Sequence, residues 1–153
     1  MYAIPFKEKF DIVLSSLVVH YFKNWDKMFK QVSRVLKKGG DFIFSTGNPI
    51  YEVNKKVIVG KKKYKVLGIL DYFKEDEIHA VWKVRDGIRN FDMPVVSYHK
   101  TYEDIIKTIL KNGFEITDYR DCFPTKQSKK LFPEEYAFTS KVPFFCVWKV
   151  RKK

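Results

Sequence analysis

Residues Phe10 to Pro49 carry a complete strand, helix, strand pattern with its own turn chemistry, and few architectures accommodate such a unit. Phe10 to Leu14 is a nearly continuous apolar run, broken only by Asp11 and closed by Ser15 and Ser16, which predicts a short strand buried on both faces. A helix is predicted next. Asn24 is placed as its N-cap, Asp26 puts negative charge in the first turn, and Trp25, Met28, Phe29, Val32, Val35 and Leu36 recur on one face. Lys37 and Lys38 suit the negative helix end, with Gly39 and Gly40 supplying a left-handed C-terminal turn. Asp41 to Ser45 is the second strand, stopped by Thr46, Gly47, Asn48 and Pro49. Two strands joined through a helix of this length are parallel with a right-handed crossover, so the stretch predicts a βαβ unit of an open α/β sheet.

The same residues resemble one region of the class I S-adenosylmethionine-dependent methyltransferases, namely their fourth strand, following helix and fifth strand. The matching positions are Phe10-Asp11-Ile12-Val13, Ser15-Ser16-Leu17, His20-Tyr21, Arg34-Val35-Leu36 and Gly39-Gly40, with Ala3 to Phe6 resembling the linker into the fourth strand. The fold this implies is α/β: a partial Rossmann-like methyltransferase sheet made of the later strands, the last antiparallel, with a small β-rich insertion. The cofactor it implies is S-adenosylmethionine. In that family a glycine-rich turn after the first strand and an acid after the second hold the cofactor. Here the glycines stand at 39, 40, 47, 60, 68, 87 and 113, and none forms a G-x-G pattern. The resemblance therefore covers the carboxy-terminal half of the domain.

With 153 residues, 45% of them apolar, the chain is the size of one domain and can bury a core. The expected organisation is a single partial methyltransferase domain over 1–153 with an inserted β-rich segment at about 51–97. No apolar run could span a bilayer, and Met1 to Phe6 leads into Lys7, Glu8 and Lys9 instead of a signal-like core, so a cytoplasmic protein without membrane contact is expected. Cys122 and Cys146 are too few for a disulfide framework or a thiolate metal site and read as two reduced cysteines; no metal is expected. The formal charge of +12 admits a polyanionic partner. Lysine supplies most of it, however, and bidentate phosphate recognition uses arginine, so nucleic acid is not the favoured partner.

Met1 to Lys9 reads as an extended connector fixed by Pro5. Between Tyr51 and Val96, strand-like runs at Val57 to Val59, Tyr64 to Leu67 and Ala80 to Val84 are separated by Gly60, Gly68 and Gly87, with Lys61 to Lys63 at a hairpin tip. Methyltransferases of the resembling class often insert substrate-shaping strands here; a small appendage packed on the sheet fits equally. Thr101 and Asp104 form a capping-box pair for a helix whose apolar face is Tyr102, Ile105, Ile106, Ile109 and Leu110, ended by Gly113. Phe114 to Tyr119 is a strand. Cys122 to Pro143, with three prolines, reads as an ordered loop holding at most one helical turn near Glu134 to Phe138. Phe144 to Val150 is the final strand, which the resemblance implies is antiparallel and inserted between its neighbours.

No nucleophile-and-base pair, metal-binding helix motif or P-loop is present. Ligands of open α/β sheets bind beyond the carboxyl ends of the strands, which makes Ser15, Ser16 and Leu17 the cofactor-side candidates. The resemblance places His20 and His99 on the same side. His20 is the candidate base, since its pKa lies near neutrality, although packing against the helix start explains it as well. His99 and Asn48 are substrate-side candidates, and Asn48-Pro49 is also an ordinary turn. Three readings remain open. One is a methyltransferase acting on a small molecule, inactive as this half alone; another is a non-catalytic interaction module derived from one; the third is a basic RNA-binding or RNA-methylating protein. A strand left without its family neighbour would be covered by a second copy or by a separate amino-terminal half.

Overall fold

The computed structural model describes residues 3–52, 55–59, 62–66, 72–73, 77–85 and 88–153. Strand β1, Phe10–Ser15, runs parallel to β2, Leu36–Gly47, with Ile12 opposite Asp41 and Ser15 opposite Phe44. Helix α1, Trp25–Val35, connects them, and the short helix α2, Pro49–Glu52, follows β2. The βαβ unit is thus formed. The expected cap is in place: Asn24 Oδ1 accepts the Lys27 backbone N–H at 2.9 Å. Strand β8, Phe145–Lys152, lies antiparallel between β2 and β7, Phe114–Asp121, giving the order β1-β2-β8-β7. This is the four-strand sheet with an inserted antiparallel last strand that the resemblance implied.

Alternation along β2 and β8 sends Phe42, Phe44, Cys146, Trp148 and Val150 to one face, where α1 and α3, Tyr102–Lys111, cover them. Phe29 is the hub: its ring meets Phe42, Phe44 and Phe114 at 5.5–5.8 Å, each near perpendicular. Edge-to-face pairs of this kind add about 0.5–1.5 kcal/mol each beyond the area they bury. The capping box at α3 is complete, since Thr101 Oγ1 accepts the Asp104 N–H while the Asp104 carboxylate accepts the Thr101 N–H.

Three expectations are corrected. First, β1 is not buried on both faces. It is the edge of its sheet, so Val13 packs on the core while Ile12 and Leu14, on the other face, are 60% and 72% exposed. Second, α1 ends at Val35, and Leu36 is already extended, so Lys37 and Lys38 belong to β2 and Arg34 is the basic residue of the last helical turn. Gly39 does adopt the left-handed conformation, at φ +76°, but inside an irregularity where β2 steps out of register with β1. At Gly40 a Cβ would sit 3.0 Å from the Asp11 carbonyl oxygen, which is why the second glycine is needed as well. Third, the segment before β8 holds two helices, α4 at Lys126–Leu131 and α5 at Pro133–Thr139. Thr125 caps α4, and Pro133 occupies the first turn of α5, where its missing N–H is harmless. Phe138 of α5 meets Tyr51 at 5.8 Å, a contact 87 residues apart in sequence that no local pattern reveals.

Among the described residues of the inserted segment two antiparallel strand pairs are formed, β3 (Lys55–Val59) with β4 (Lys62–Val66), and β5 (Glu77–Arg85) with β6 (Asn90–Tyr98). The predicted tip at Gly60 and Lys61, and the breaks at Gly68 and Gly87, lie outside the described residues. The connector ahead of β1 runs along α1, where Arg34 donates to the Ile4 carbonyl at 2.6 Å and to the Phe6 carbonyl at 2.8 Å. It therefore leaves the outer edge of β1 uncovered by any described strand.

Candidate functional site

The carboxyl ends of β1 and β2 lie side by side, and the chain leaving β1 makes a strained turn there. Leu17 has φ +53°, a left-handed conformation that costs a non-glycine residue about 1–2 kcal/mol. Its N–H donates to Ser45 Oγ of β2 at 2.9 Å, which pins the turn to the neighbouring strand. Backbone strain held in this way concentrates at ligand sites, where it fixes the direction of nearby polar groups. Ser16 is exposed, and Ser15 and Leu17 are half-buried. The three cofactor-side candidates thus sit together at a fixed, solvent-reachable strand end.

His20 follows in a single 3-10 turn, Val19–Tyr21, anchored by the fully buried Val19. Its Nδ1 stands 3.4 Å from Oγ1 of Thr46, a buried residue of β2, and its ring lies 4.3 Å from that of Tyr21. Burial lowers its pKa, because the charged ring loses solvation, which favours the neutral imidazole. His20 joins Ser15 to Leu17 at the β1–β2 end through Thr46. The sequence offered Thr46 only as a strand stop; β2 in fact runs through it to Gly47, which is what sets Thr46 beside His20.

Asn48 and His99 sit differently. Asn48 is completely buried: its Oδ1 accepts from the Tyr102 hydroxyl at 2.7 Å and the Ile50 N–H at 3.2 Å, and its Nδ2 donates to Asp121 at 2.8 Å. The Tyr119 hydroxyl donates to the same Asp121 oxygen at 2.6 Å. Burial, then the hydrogen bond to Asp121, raises the Tyr119 pKa strongly, and burial raises that of Tyr102, so both phenols stay protonated. His99 is buried too, with Nε2 3.0 Å from the Tyr72 carbonyl oxygen, and the Tyr72 hydroxyl accepts the Tyr102 N–H at 2.9 Å. These residues tie the base of the inserted hairpins to α3 and to the ends of β2 and β7. Nearby, Cys146 is a free thiol whose pKa burial pushes up to about 12, and Cys122 is free as well.

A sequence profile described as a methyltransferase domain matches residues 1–44, the stretch that builds the connector, β1, α1 and most of β2. A Listeria monocytogenes structure, of a protein proposed to be an S-adenosylmethionine-dependent methyltransferase, is 27% identical. It superposes with a TM-score of 0.74 over 96% of this chain and 63% of its own. An S-adenosylmethionine-dependent methyltransferase from Mesorhizobium loti is 25% identical, with a TM-score of 0.68 over 98% of this chain and 64% of its own. The sterol 4-C-methyltransferase strm-1 of Caenorhabditis elegans is 32% identical over 95 residues, 61% of this chain and 28% of that protein. The chain spans less than two thirds of each of these relatives. Its fold is that of the S-adenosylmethionine-dependent methyltransferases it superposes on, and its first 44 residues are similar in sequence to a methyltransferase domain.

Proposed function

We propose that this chain forms one side of an S-adenosylmethionine-dependent methyltransferase site that acts on a small molecule. A second side, carrying a glycine-rich turn, completes it along β1. The observation that carries this reading is the strained Leu17 turn, pinned to Ser45 at the joint carboxyl end of two parallel strands, where α/β sheets bind ligands. Ser15, Ser16 and Leu17 would border the cofactor, and His20 would take the proton released by the acceptor. The backbone of Leu17 and the hydroxyl of Thr46 hold these groups in place, so alignment of nucleophile, methyl and sulfur supplies much of the rate. Asn48 and His99 support the site from below by fixing the hairpins, not by meeting the acceptor. The solved relatives named above support the choice of cofactor.

RNA methylation is a poorer fit. Arg34 is bound to the connector carbonyls, Arg151 to Asp41 and Arg120 to Asp118, which leaves few guanidinium groups for phosphate. Titration of the 153-residue chain with S-adenosylmethionine by calorimetry tests the main reading. Alone, the half-site is expected to bind more weakly than about 100 μM, or about 5.5 kcal/mol. Adding in trans the part of the Listeria relative that this chain does not cover is expected to tighten binding at least tenfold. Micromolar binding by the chain alone overturns the half-site claim, and no gain on completion favours a non-catalytic interaction module.

A further inference from the structure

We propose that the helical pair α4–α5 is a docking surface for an anionic lipid bilayer. Strand β8 is antiparallel to both β2 and β7, so β7 runs parallel to β1 and β2. The chain leaving the carboxyl end of β7 at Asp121 therefore enters α4 at the same end of the sheet as the strand-end site. Helix α5 is fastened there, because the Tyr51 ring of α2 meets Phe138 at 5.8 Å and Phe144 at 4.0 Å.

Helices of six and seven residues are unstable alone and form in proteins by packing an apolar face, yet α4 and α5 bury no residue fully. Ser128 is the one half-buried residue of α4, and Leu131 and Phe132, three and four positions on, lie on its side. Leu131 is nevertheless 61% exposed and Phe132 58%. Phe123, 68% exposed, continues the apolar surface: its ring meets that of Tyr136 at 6.4 Å, and the Tyr136 N–H donates to the Phe132 carbonyl at 2.9 Å.

Lys126 and Lys130, four positions apart, share another side of α4 and form no ion pair or hydrogen bond among the described residues. Lys129 holds its ammonium 5.9 Å above the Tyr136 ring, and neither it nor Lys141 has a carboxylate partner. Against these four lysines stand two acids, Glu134 and Glu135, which suit the positive end of α5. No arginine occurs from 121 to 150. Nucleic-acid phosphates are gripped by the planar arginine fork, whereas an anionic bilayer attracts through a continuous field that lysine ammonium groups answer as well. Uncovered leucine and phenylalanine beside unpaired lysines let a short helix settle into the headgroup layer. The contact is with the surface, since no described helix is long and apolar enough to cross a membrane.

Sedimentation of the 153-residue chain with vesicles, without any methyl donor, is the test. Partition onto phosphatidylcholine vesicles carrying about 30% phosphatidylserine is expected to exceed that onto pure phosphatidylcholine about tenfold. It should fall several-fold between about 50 and 300 mM salt, because surface charges are screened. Leu131→Gln with Phe132→Gln should weaken it about tenfold, as should Lys126→Gln with Lys130→Gln. Removing equal charge elsewhere, by Lys27→Gln with Lys30→Gln, or apolar surface elsewhere, by Ile12→Gln with Leu14→Gln, should leave it near the parent value. Phe132→Trp should add a blue-shifted emission with the anionic vesicles, a readout that needs no loss of binding. Equal partition onto both vesicles, equal weakening by a control pair, or no shift from Phe132→Trp overturns the proposal. Displacement of the vesicles by a uridine oligonucleotide that shifts the same tryptophan would replace it with a nucleic-acid surface. Self-association lost in Leu131→Gln with Phe132→Gln, in place of vesicle binding, would replace it with an interface between copies. None of these outcomes bears on whether the strand-end site transfers methyl groups.

Discussion

Ser45 Oγ accepts the backbone N–H of Leu17 at 2.9 Å, and that one bond holds a left-handed leucine at the end of the first strand. Glycine is normally less stable than alanine in ordered backbone, by about 0.5–1 kcal/mol. At position 17 the order should invert. Leu17→Gly and Leu17→Ala both lose the same partly buried side chain, but only glycine adopts φ +53° freely, so the glycine variant should be more stable by about 1 kcal/mol in urea unfolding. Alanine proving the better residue would mean that the turn is not strained in solution.

Thr46 beside His20 gives a pH dependence whose sign follows from burial. The folded pKa of His20 lies below the ordinary value of about 6.5, so below that pH the unfolded chain binds a proton that the folded chain refuses. Its contribution to stability is complete above about pH 6.5 and is lost as pH falls through the folded value. Urea midpoints taken from pH 7.5 to 5 should fall less steeply for His20→Gln than for the parent chain. Parallel curves would show that the ring is solvated.

Asn48 should be among the costliest polar positions to truncate. Asn48→Ala leaves the Tyr102 hydroxyl and the Ile50 N–H without their acceptor, and each buried unsatisfied group costs about 1–3 kcal/mol. A loss of about 2–4 kcal/mol is expected by denaturant unfolding, with Asp121 turning to solvent. A loss under about 1 kcal/mol would show that water replaces the side chain without strain.

What was legible in the sequence and what was not divide along physical lines. Asn24, Thr101 with Asp104, and Gly113 announced their helix ends because capping is a matter of neighbours in sequence. The sheet order was legible only through the resemblance, which carries long-range pairing that periodicity cannot. Exposure of Ile12 and Leu14 was misread because an apolar run looks the same whether or not a second layer covers it. Helix α4 was passed over, and α5 was read only as one turn near Glu134 to Phe138, because neither buries a residue fully and so neither leaves an apolar stripe to detect. Thr46 and the Asn48–Tyr102–Asp121 network depend on contacts 26 to 73 residues apart.

The outer edge of β1 leads to a prediction of association. Its six residues contain neither proline nor lysine, and Asp11, the one charge, is drawn back onto Lys37 of β2 at 2.9 Å. Phe6, Phe10, Ile12 and Leu14 are all exposed along it, and Arg34 ties the connector to α1 instead of across the edge. An open, apolar edge of this kind is a template for pairing with another chain. Covering Ile12 and Leu14 would stabilise the assembly by about 1.5–3 kcal/mol each, against a folding stability of only about 5–15 kcal/mol. The chain is therefore expected to self-associate when no other chain covers β1, and light scattering across a concentration series should show a mass rising above 18.3 kDa. Ile12→Lys with Leu14→Lys should abolish that rise without unfolding the protein, because both side chains face away from the Phe42–Phe44 core. Val13→Lys would abolish it as well, but by damaging the packed face. A parent chain that stays monomeric at every concentration would show that β1 is stable as a bare edge.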